Sequence, residues 1–416
     1  MNLEYFIAKR LIVSKSYKSS VSSPIIKIAI LAIALSILMM VMSVATGVGL
    51  QQKIREKISA FNGHVIVSNF DDNQSQVTAE PIDSRLLPIS QLKKNSFITH
   101  VQPIITKGAL IRTETDVEGI IFKGVDASYQ WNNLKEFLVE GKIPTYKEGD
   151  INEVLISQFL ANRLKLKVGN SFNTFFMKTQ GKLPSIRKFK IAGIYNSGFQ
   201  EFDSSYIIGN IEHLQRINKW QPNQVGAYEI FIDDFSKLEE RAEEIYKTIP
   251  PTFNSASISE KYFSVFEWLK LFDFNILVIL IIMIGVATIN MVVALLVLIL
   301  ERTQLIGMLK ALGANNWSVR KIFLYNAAHL ISRGLLWGNG IAILLLVIQK
   351  KFEIIKLNPE SYYVSSAPVD INLLHIIIKC RYYINMCIGF INSILPNHKN
   401  FSDKSLKVRL EISSDF

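Results

Sequence analysis

Two uncharged apolar stretches, residues 28–50 and 277–300, are separated by a long tract of mixed polarity, and this spacing constrains the fold more than any other feature. A helix rises 1.5 Å per residue, so about 20 apolar residues cross the hydrocarbon core of a bilayer. Both stretches meet that length, and the tract between them is long enough to bury a core of its own. A third stretch, 323–348, carries His329 and Arg333 in its first half. A fourth, 371–395, is interrupted by Lys379, Cys380 and Arg381. Insertion of a charge at mid-bilayer costs about 2.5–3.5 kcal/mol, so the fourth span is atypical.

The sidedness follows from Lys and Arg near the span ends. Lys9, Arg10, Lys15, Lys18 and Lys27 precede the first span, and Arg302, Lys310, Arg320 and Lys321 lie between the second and third. Both groups belong in the cytoplasm. The apolar block 28–50 is too long and begins too late for a cleaved signal peptide. The chain therefore reads as a cytoplasmic amphipathic N-terminus (1–27), a first span (28–50), a large outer domain (51–270), and a second span (271–300). A cytoplasmic segment (301–322), a third span (323–348), an outer loop (349–370), the atypical fourth span (371–395) and a cytoplasmic tail (396–416) complete it. The fold class expected is an α-helical membrane protein with four transmembrane helices and a large α+β outer domain, in a multi-pass arrangement with both termini cytoplasmic.

Within the outer domain, HVIV at 64–67, IIFKGV at 120–125, FKIAGIY at 189–195 and YEIFI at 228–232 are extended segments bounded by Gly, Asn and Asp. Residues 157–166 and 236–248 have helical spacing. In the second of these, Ser236 and Glu239 have the spacing of a capping box. The tract 71–80 is polar and reads as a loop, and 221–225, with Pro222, is the expected divide between two lobes.

The chemistry is non-enzymatic. No Gly-x-Ser-x-Gly elbow, His-Glu-x-x-His motif or phosphate-binding Gly-x-x-x-x-Gly-Lys-Ser/Thr loop occurs, and the six histidines are scattered. Neither a catalytic residue nor a metal ligand is assigned. Glu201 and Asp203 form the nearest approach to an acid pair, and turn formation is the reading their isolation favours. Both cysteines, Cys380 and Cys387, lie in the fourth apolar stretch, so no disulfide framework holds the outer domain. The net charge of +11 has no basic stripe interleaved with aromatics, which sets nucleic acid aside as a partner.

The segment 301–323, ERTQLIGMLKALGANNWSVRKIF, places Leu305, Ile306, Leu309 and Leu312 at helical spacing before Gly313, a C-terminal stop. By pattern alone it suits either a membrane surface or a docking groove in another protein. The letters Glu301-Arg302, Ile306-Gly307, Leu309-Lys310-Ala311-Leu312-Gly313-Ala314 and Ile322-Phe323 resemble the cytoplasmic motif of FtsX-like ABC transporter permeases, including the lipoprotein-releasing LolC/LolE branch and the MacB branch. The segment 47–67, the pattern at 153–171, and Gly198 with Phe202-Asp203-Ser204-Ser205-Tyr206 are also similar to the lipoprotein-releasing members.

That resemblance implies an ATPase-coupling role for Glu301, Arg302, Ile306, Gly307, Leu309, Lys310, Leu312 and Gly313. It implies a periplasmic family motif at Gly198, Asp203, Ser204, Ser205 and Tyr206. It implies a cytoplasmic ABC ATPase homodimer as partner, a second permease subunit (the same or related), an acylated lipoprotein as substrate and a periplasmic lipoprotein carrier, all at the cell inner membrane. This chain binds no cofactor of its own in that scheme; ATP and Mg belong to the ATPase. Val44, Val48, Met283, Val286 and Ile289 are acyl-facing candidates by location, with helix packing as the competing role. A MacB-like mechanotransmission or efflux permease is the alternative within the family, and a membrane sensor or scaffold is the alternative outside it. The stretch 396–406 departs from the family's tail, while Lys407-Val408-Arg409-Leu410-Glu411 keeps a faint version of its Arg-x-Glu ending.

Overall fold

The computed structural model describes residues 3–13, 22–70, 80–113, 116–146, 152–177 and 183–371. Most of the polar tract 71–80, the body of the fourth apolar stretch and the tail 396–416 lie outside the described residues. The chain divides into two compact units. One comprises Met1–Gly49, Phe272–Ile354 and Val369–Phe416, and the other Leu50–Leu271 with Ile355–Pro368.

The first unit is helical. Among the described residues three helices are long and apolar enough to cross a membrane, lying within Ser22–Asn62, Phe263–Glu301 and Asn316–Phe352. Their lengths, 41, 39 and 37 residues, exceed the about 20 that a bilayer requires. Ile33, Ile37, Met40 and Ala45 of the first pack with Ala287, Met291 and Leu295 of the second and Ala327, Ile331, Ala342 and Leu346 of the third. Close approach depends on glycine. A Cβ at Gly334 would lie 2.4 Å from the Ile33 side chain, and one at Gly338 would lie 2.6 Å from the Ala34 carbonyl. This Gly-x-x-x-Gly pair lets two backbones meet where lipid supplies no hydrophobic drive for association. The short helix Leu3–Val13 packs on the start of the third: Tyr5 meets Tyr325 edge-on at 5.5 Å, and Ser318 Oγ donates to Glu4 Oε1 at 3.1 Å.

The second unit is an α+β domain built on one mixed sheet of order β12-β1-β11-β3-β4-β9-β6-β8-β5, with β7 pairing to both β3 and β8. Its strands are β1 (Val65–Asn69), β3 (Ile98–Arg112), β4 (Val117–Val125), β5 (Leu138–Gly141), β6 (Glu153–Ser157), β7 (Ser171–Phe176), β8 (Ser185–Tyr195), β9 (Tyr206–Asn210), β11 (Ala227–Ile232) and β12 (Phe253–Ser257). The four extended segments expected from the sequence form β1, β4, β8 and β11. The pairs β4–β9 and β6–β8 are parallel, and the other pairs are antiparallel. Phe122, Phe176 and Phe189, all fully buried, form the aromatic centre of the core, with Phe122 and Phe189 centroids 4.9 Å apart.

The 221–225 segment places β10 (Gln224–Val225) against β2 (Ile82–Asp83), and strands on both sides of it share the one sheet in a single compact unit. The helix expected from residue 236 begins at Leu238, and a 3-10 turn, Phe235–Lys237, precedes it. The side chain of Asp234 caps that turn by accepting from Ser236 N–H, so the Ser236–Glu239 capping box does not form. A capping box forms instead at Ser257 and Glu260.

Candidate functional site

Two places gather the residues singled out in the sequence. The first is in the sheet unit, where the helix Ser22–Asn62 ends. The αL conformation of Gly63 (φ +68°) turns the chain, and its N–H donates to Ser59 O at 2.8 Å. The last carbonyls of a helix carry partial negative charge and need donors. Here the Phe61 carbonyl accepts from the ammonium of Lys123, on β4. Lys123 is 3% exposed and pairs with Glu229 Oε1 of β11, itself 1% exposed, at 2.5 Å. Gln102, on the intervening β3, donates from Nε2 to Glu229 Oε2 at 2.8 Å and accepts the Gln130 N–H at 2.9 Å. A buried ion pair is tolerated when its remaining lone pairs and protons are satisfied, and this network supplies them.

The entry of the helix Phe263–Glu301 is tied to the same place. Residues Val65–Asn69, which follow the first helix, pair antiparallel with Phe253–Ser257, which precede the second, with Val65 opposite Ser257. The Tyr262 hydroxyl donates to Asn62 Oδ1 at 3.1 Å, and Gln51 Nε2 donates to Leu269 O at 3.0 Å. His64 accepts the Ile232 N–H on Nδ1 at 2.9 Å and sits edge-on to Phe231 and Phe235. Burial lowers its pKa to about 4.

The motif at 198–206 forms the third wall of this joint. Asp203 is buried and accepts from Ser197 N–H (3.1 Å), Ser197 Oγ (2.8 Å) and Gly198 N–H (3.0 Å). Burial nonetheless raises its pKa. The turn so held presents Phe199 and Phe202. Phe202 stacks on Phe61 at 5.1 Å and meets Tyr262 edge-on at 5.6 Å. Phe199 stacks on Tyr363 at 4.6 Å, and Tyr363 O accepts from Lys57 Nζ at 3.0 Å. Tyr363 belongs to a strap, 355–368, closed by the Lys356–Ser366 bridge. Ser204 and Ser205 lie half-buried with their hydroxyls 3.2 Å apart, and Tyr206 packs edge-on to Phe202 at 5.8 Å. The five motif residues therefore come together, and they shape a turn. Glu201 is exposed and does not join Asp203.

Sequence reasoning missed Lys123, Glu229, Gln102, Asn62, Gln51 and Tyr262. A signal was present for the first two: each is a lone charge of opposite sign inside an otherwise apolar strand segment, IIFKGV and YEIFI.

The second place is in the helical unit. A nine-residue helix, Thr303–Ala311, follows Arg302, and Gly313 (φ +88°) ends it in the αL conformation expected of a stop. The Asn315 side chain then accepts from Ser318 N–H at 2.7 Å and opens the next helix. Leu305, Ile306 and Leu309 are half-buried, and Ile306 packs against the group containing Ile26, Ala29, Leu298 and Phe323. Leu312 is 85% exposed, Met308 59% and Trp317 51%. Arg302 is half-buried, while Glu301, Gly307 and Lys310 are exposed. The expected apolar stripe is thus split: Ile306 packs within its own unit, while Met308, Leu312 and Trp317, here called the apolar cap, are exposed, with the Arg320 guanidinium 5.9 Å from the Trp317 ring.

The five acyl-facing candidates differ in burial. Val44 is buried, Val48 and Met283 are half-buried, and Val286 and Ile289 are exposed. Met283 packs into the group around Met291 and Ala287.

Residues 28–245, more than half of the 416, match the family model of the MacB-like periplasmic core domain, and residues 277–380 match that of the FtsX-like permease C-terminal domain. The chain belongs to the FtsX-like permease family. Three relatives align along nearly the whole of this permease. The lipoprotein-releasing system transmembrane protein LolC of Xylella fastidiosa is 22% identical, covering 95% of this chain and 94% of its own. LolE of Haemophilus influenzae is 21% identical over 91% and 92%, and LolC of Neisseria meningitidis serogroup B is 21% identical over 96% and 96%. The permease is a multi-pass membrane protein with a large α+β domain of the periplasmic core type.

Proposed function

We propose that this permease is the non-catalytic membrane subunit of an ATP-driven complex that lifts lipoproteins from the inner membrane for delivery toward the outer membrane. In this reading the termini and the segment 301–322 are cytoplasmic, and the sheet domain stands in the periplasm. The observation that carries the proposal is the anchoring of the unbroken helix Ser22–Asn62, whose end is held in the sheet by Lys123 and Glu229. A helix that is continuous from its apolar stretch to a buried ionic clamp is suited to carry force.

Work is needed at the far end. Each acyl CH₂ contributes about 0.8 kcal/mol to anchoring, so stripping two or three chains from lipid demands an external energy source. This chain has no phosphate-binding loop, so ATP and Mg would be held by a partner ATPase dimer. The exposed cap of Met308, Leu312 and Trp317, flanked by Lys310, is the surface we assign to that ATPase. A second permease subunit would complete the membrane part, and a periplasmic carrier would receive the lipoprotein. The match to the MacB-like periplasmic core favours a second reading, in which the same relay serves mechanotransmission or efflux.

The test is co-purification. Leu312→Asp places a charge on the most exposed residue of the cap without touching the internal packing of Ile306. ATPase recovery should fall at least tenfold, and its stimulation by the membrane part should disappear. Unchanged recovery and stimulation would remove the coupling assignment. Normal arrival of lipoproteins at the outer membrane after depletion of this chain would remove the transport assignment and favour the second reading.

A further inference from the structure

The short helix Leu3–Val13 turns Glu4 and Ala8, one turn apart, toward the third apolar helix. Ala8 is 1% exposed, and Glu4 Oε1 accepts from Ser318 Oγ at 3.1 Å and lies 3.8 Å from Lys321 Nζ. Leu3 (66% exposed), Tyr5 (53%), Phe6 (38%), Lys9 and Arg10 are left outside. The Arg10 guanidinium sits over the Phe6 ring at 5.2 Å. On the third helix, the Arg320 guanidinium and the Lys321 ammonium each lie 5.9 Å from the Trp317 ring. Residues 3–10 and 317–325 together hold four cations, Lys9, Arg10, Arg320 and Lys321, against one carboxylate, Glu4. Glu4 offsets Lys321 and leaves Lys9, Arg10 and Arg320 for a ligand.

The depth of this corner follows from its contacts. Tyr5 meets Tyr325 edge-on at 5.5 Å, and the apolar stretch 323–348 begins two residues after Lys321. The short helix therefore lies where the third span enters the bilayer, at the level where aromatic side chains meet headgroups. Exposed Leu3 and Phe6 are disfavoured in water, and Lys9 and Arg10 are disfavoured in hydrocarbon. One environment suits both: the acyl boundary for Leu3 and Phe6, and the phosphate layer for the cations. A cluster of four Lys and Arg beside the end of a span is a pattern that attracts anionic headgroups. A zwitterionic headgroup brings an ammonium beside its phosphate and returns much of that attraction.

We propose that this corner is a binding site for an anionic phospholipid of the leaflet that the short helix faces. The lipid phosphate lies among Lys9, Arg10 and Arg320, and its acyl chains run along Leu3 and Phe6. Arginine meets phosphate oxygens with a planar fork and lysine meets them as a point charge, so the two types together hold and orient one phosphate. A lipid held there keeps the short helix on the third span, beside the segment 301–322. The proposal rests on the reading that this end of the third span is cytoplasmic, which makes the leaflet the inner one. It depends neither on what the complex transports nor on the ATPase.

The experiment titrates the delipidated full chain in detergent with phosphatidylglycerol or with phosphatidylcholine and counts bound lipid by native mass spectrometry. A photoreactive phosphatidylglycerol then locates the site. Phosphatidylglycerol should bind at least tenfold more tightly than phosphatidylcholine and cross-link within residues 3–13 and 316–325. A cation at an anionic surface is worth roughly a fivefold change in affinity, so Lys9→Gln with Arg10→Gln should weaken binding at least tenfold. Arg320→Gln, on the other helix, should weaken it at least threefold, which keeps the test independent of how the short helix docks. Lys350→Gln with Lys351→Gln, in the last turn of the same third helix, should leave it unchanged. Equal binding of the two lipids, unchanged binding in the Lys9, Arg10 and Arg320 variants, or an equal loss in the Lys350 and Lys351 variant would overturn the proposal. Cross-links confined to other segments would overturn it, as would soluble glycerol 1-phosphate binding as tightly as the lipid. Leu312→Asp, which tests the ATPase assignment, should leave lipid binding as it is, so a failure of that reading is told apart from a failure of this one.

Discussion

Lys123→Met is the sharpest perturbation of the sheet domain. It removes the ammonium that meets Glu229 at 2.5 Å and caps the Phe61 carbonyl, leaving a carboxylate that is 1% exposed with Gln102 as its remaining donor. Breaking a buried pair from one side costs about 3–5 kcal/mol, because the surviving charge stays desolvated. For a domain of this size each kcal/mol shifts the midpoint by about 2–4 °C, so its unfolding should fall by about 6–20 °C. Temperature-dependent protease sensitivity of the sheet domain, measured on the full chain in detergent, reads this directly. The double variant Lys123→Met with Glu229→Met removes both charges, and replacing a buried pair with apolar residues of similar size is often near neutral. It should recover part of the loss, short of the cost of leaving Gln102 Nε2 and the Phe61 carbonyl without their partners, about 1–3 kcal/mol for a buried group left unsatisfied. A fall of less than 2 °C in the single variant, or a double variant no better than the single, would refute the reasoning.

Two further outcomes follow from other parts of the structure. Gly338→Leu forces a Cβ into a position 2.6 Å from the Ala34 carbonyl, so the first and third helices must separate. Cysteine cross-linking between these helices should fall sharply, whereas Gly340→Leu, with open space around it, should leave it unchanged. His64 has its folded pKa lowered to about 4 by burial, against about 6.5 in an unfolded chain. Between those values the unfolded state binds more protons, so the stability present above pH 6.5 is lost as pH falls toward 4, by on the order of 3 kcal/mol. His64→Gln should flatten the midpoint–pH curve of the sheet domain over that window, and an unchanged slope would assign the acid sensitivity elsewhere.

Of the four expected spans, the fourth lies outside the described residues, and the other three were legible as long apolar helices because bilayer length and the absence of charge are local properties of sequence. The same holds for β1, β4, β8 and β11, whose apolar runs end in turn residues, and for the stop at Gly313. The clamp was not legible. Lys123 and Glu229 are 106 residues apart, and they meet only because β3 lies between β4 and β11 and carries Gln102 into the gap. Nothing near either residue specifies that order. The capping signal failed differently. Ser236–Glu239 and Ser257–Glu260 have the same spacing, but Asp234 captures the Ser236 N–H first and starts a 3-10 turn. For the acyl-facing candidates the sequence gives depth alone. In helices apolar on every side, periodicity does not separate an exposed residue such as Ile289 from a buried one such as Val44.

In the proposed function the clamp at Phe61 transmits force as well as stabilising the sheet. The direct measurement is ATP-driven lipoprotein release from reconstituted vesicles by a complex carrying Lys123→Met with Glu229→Met, beside its ATP hydrolysis. The folded double variant should keep its ATPase and hydrolyse ATP while release falls at least tenfold. Release at the wild-type rate from that variant would contradict it.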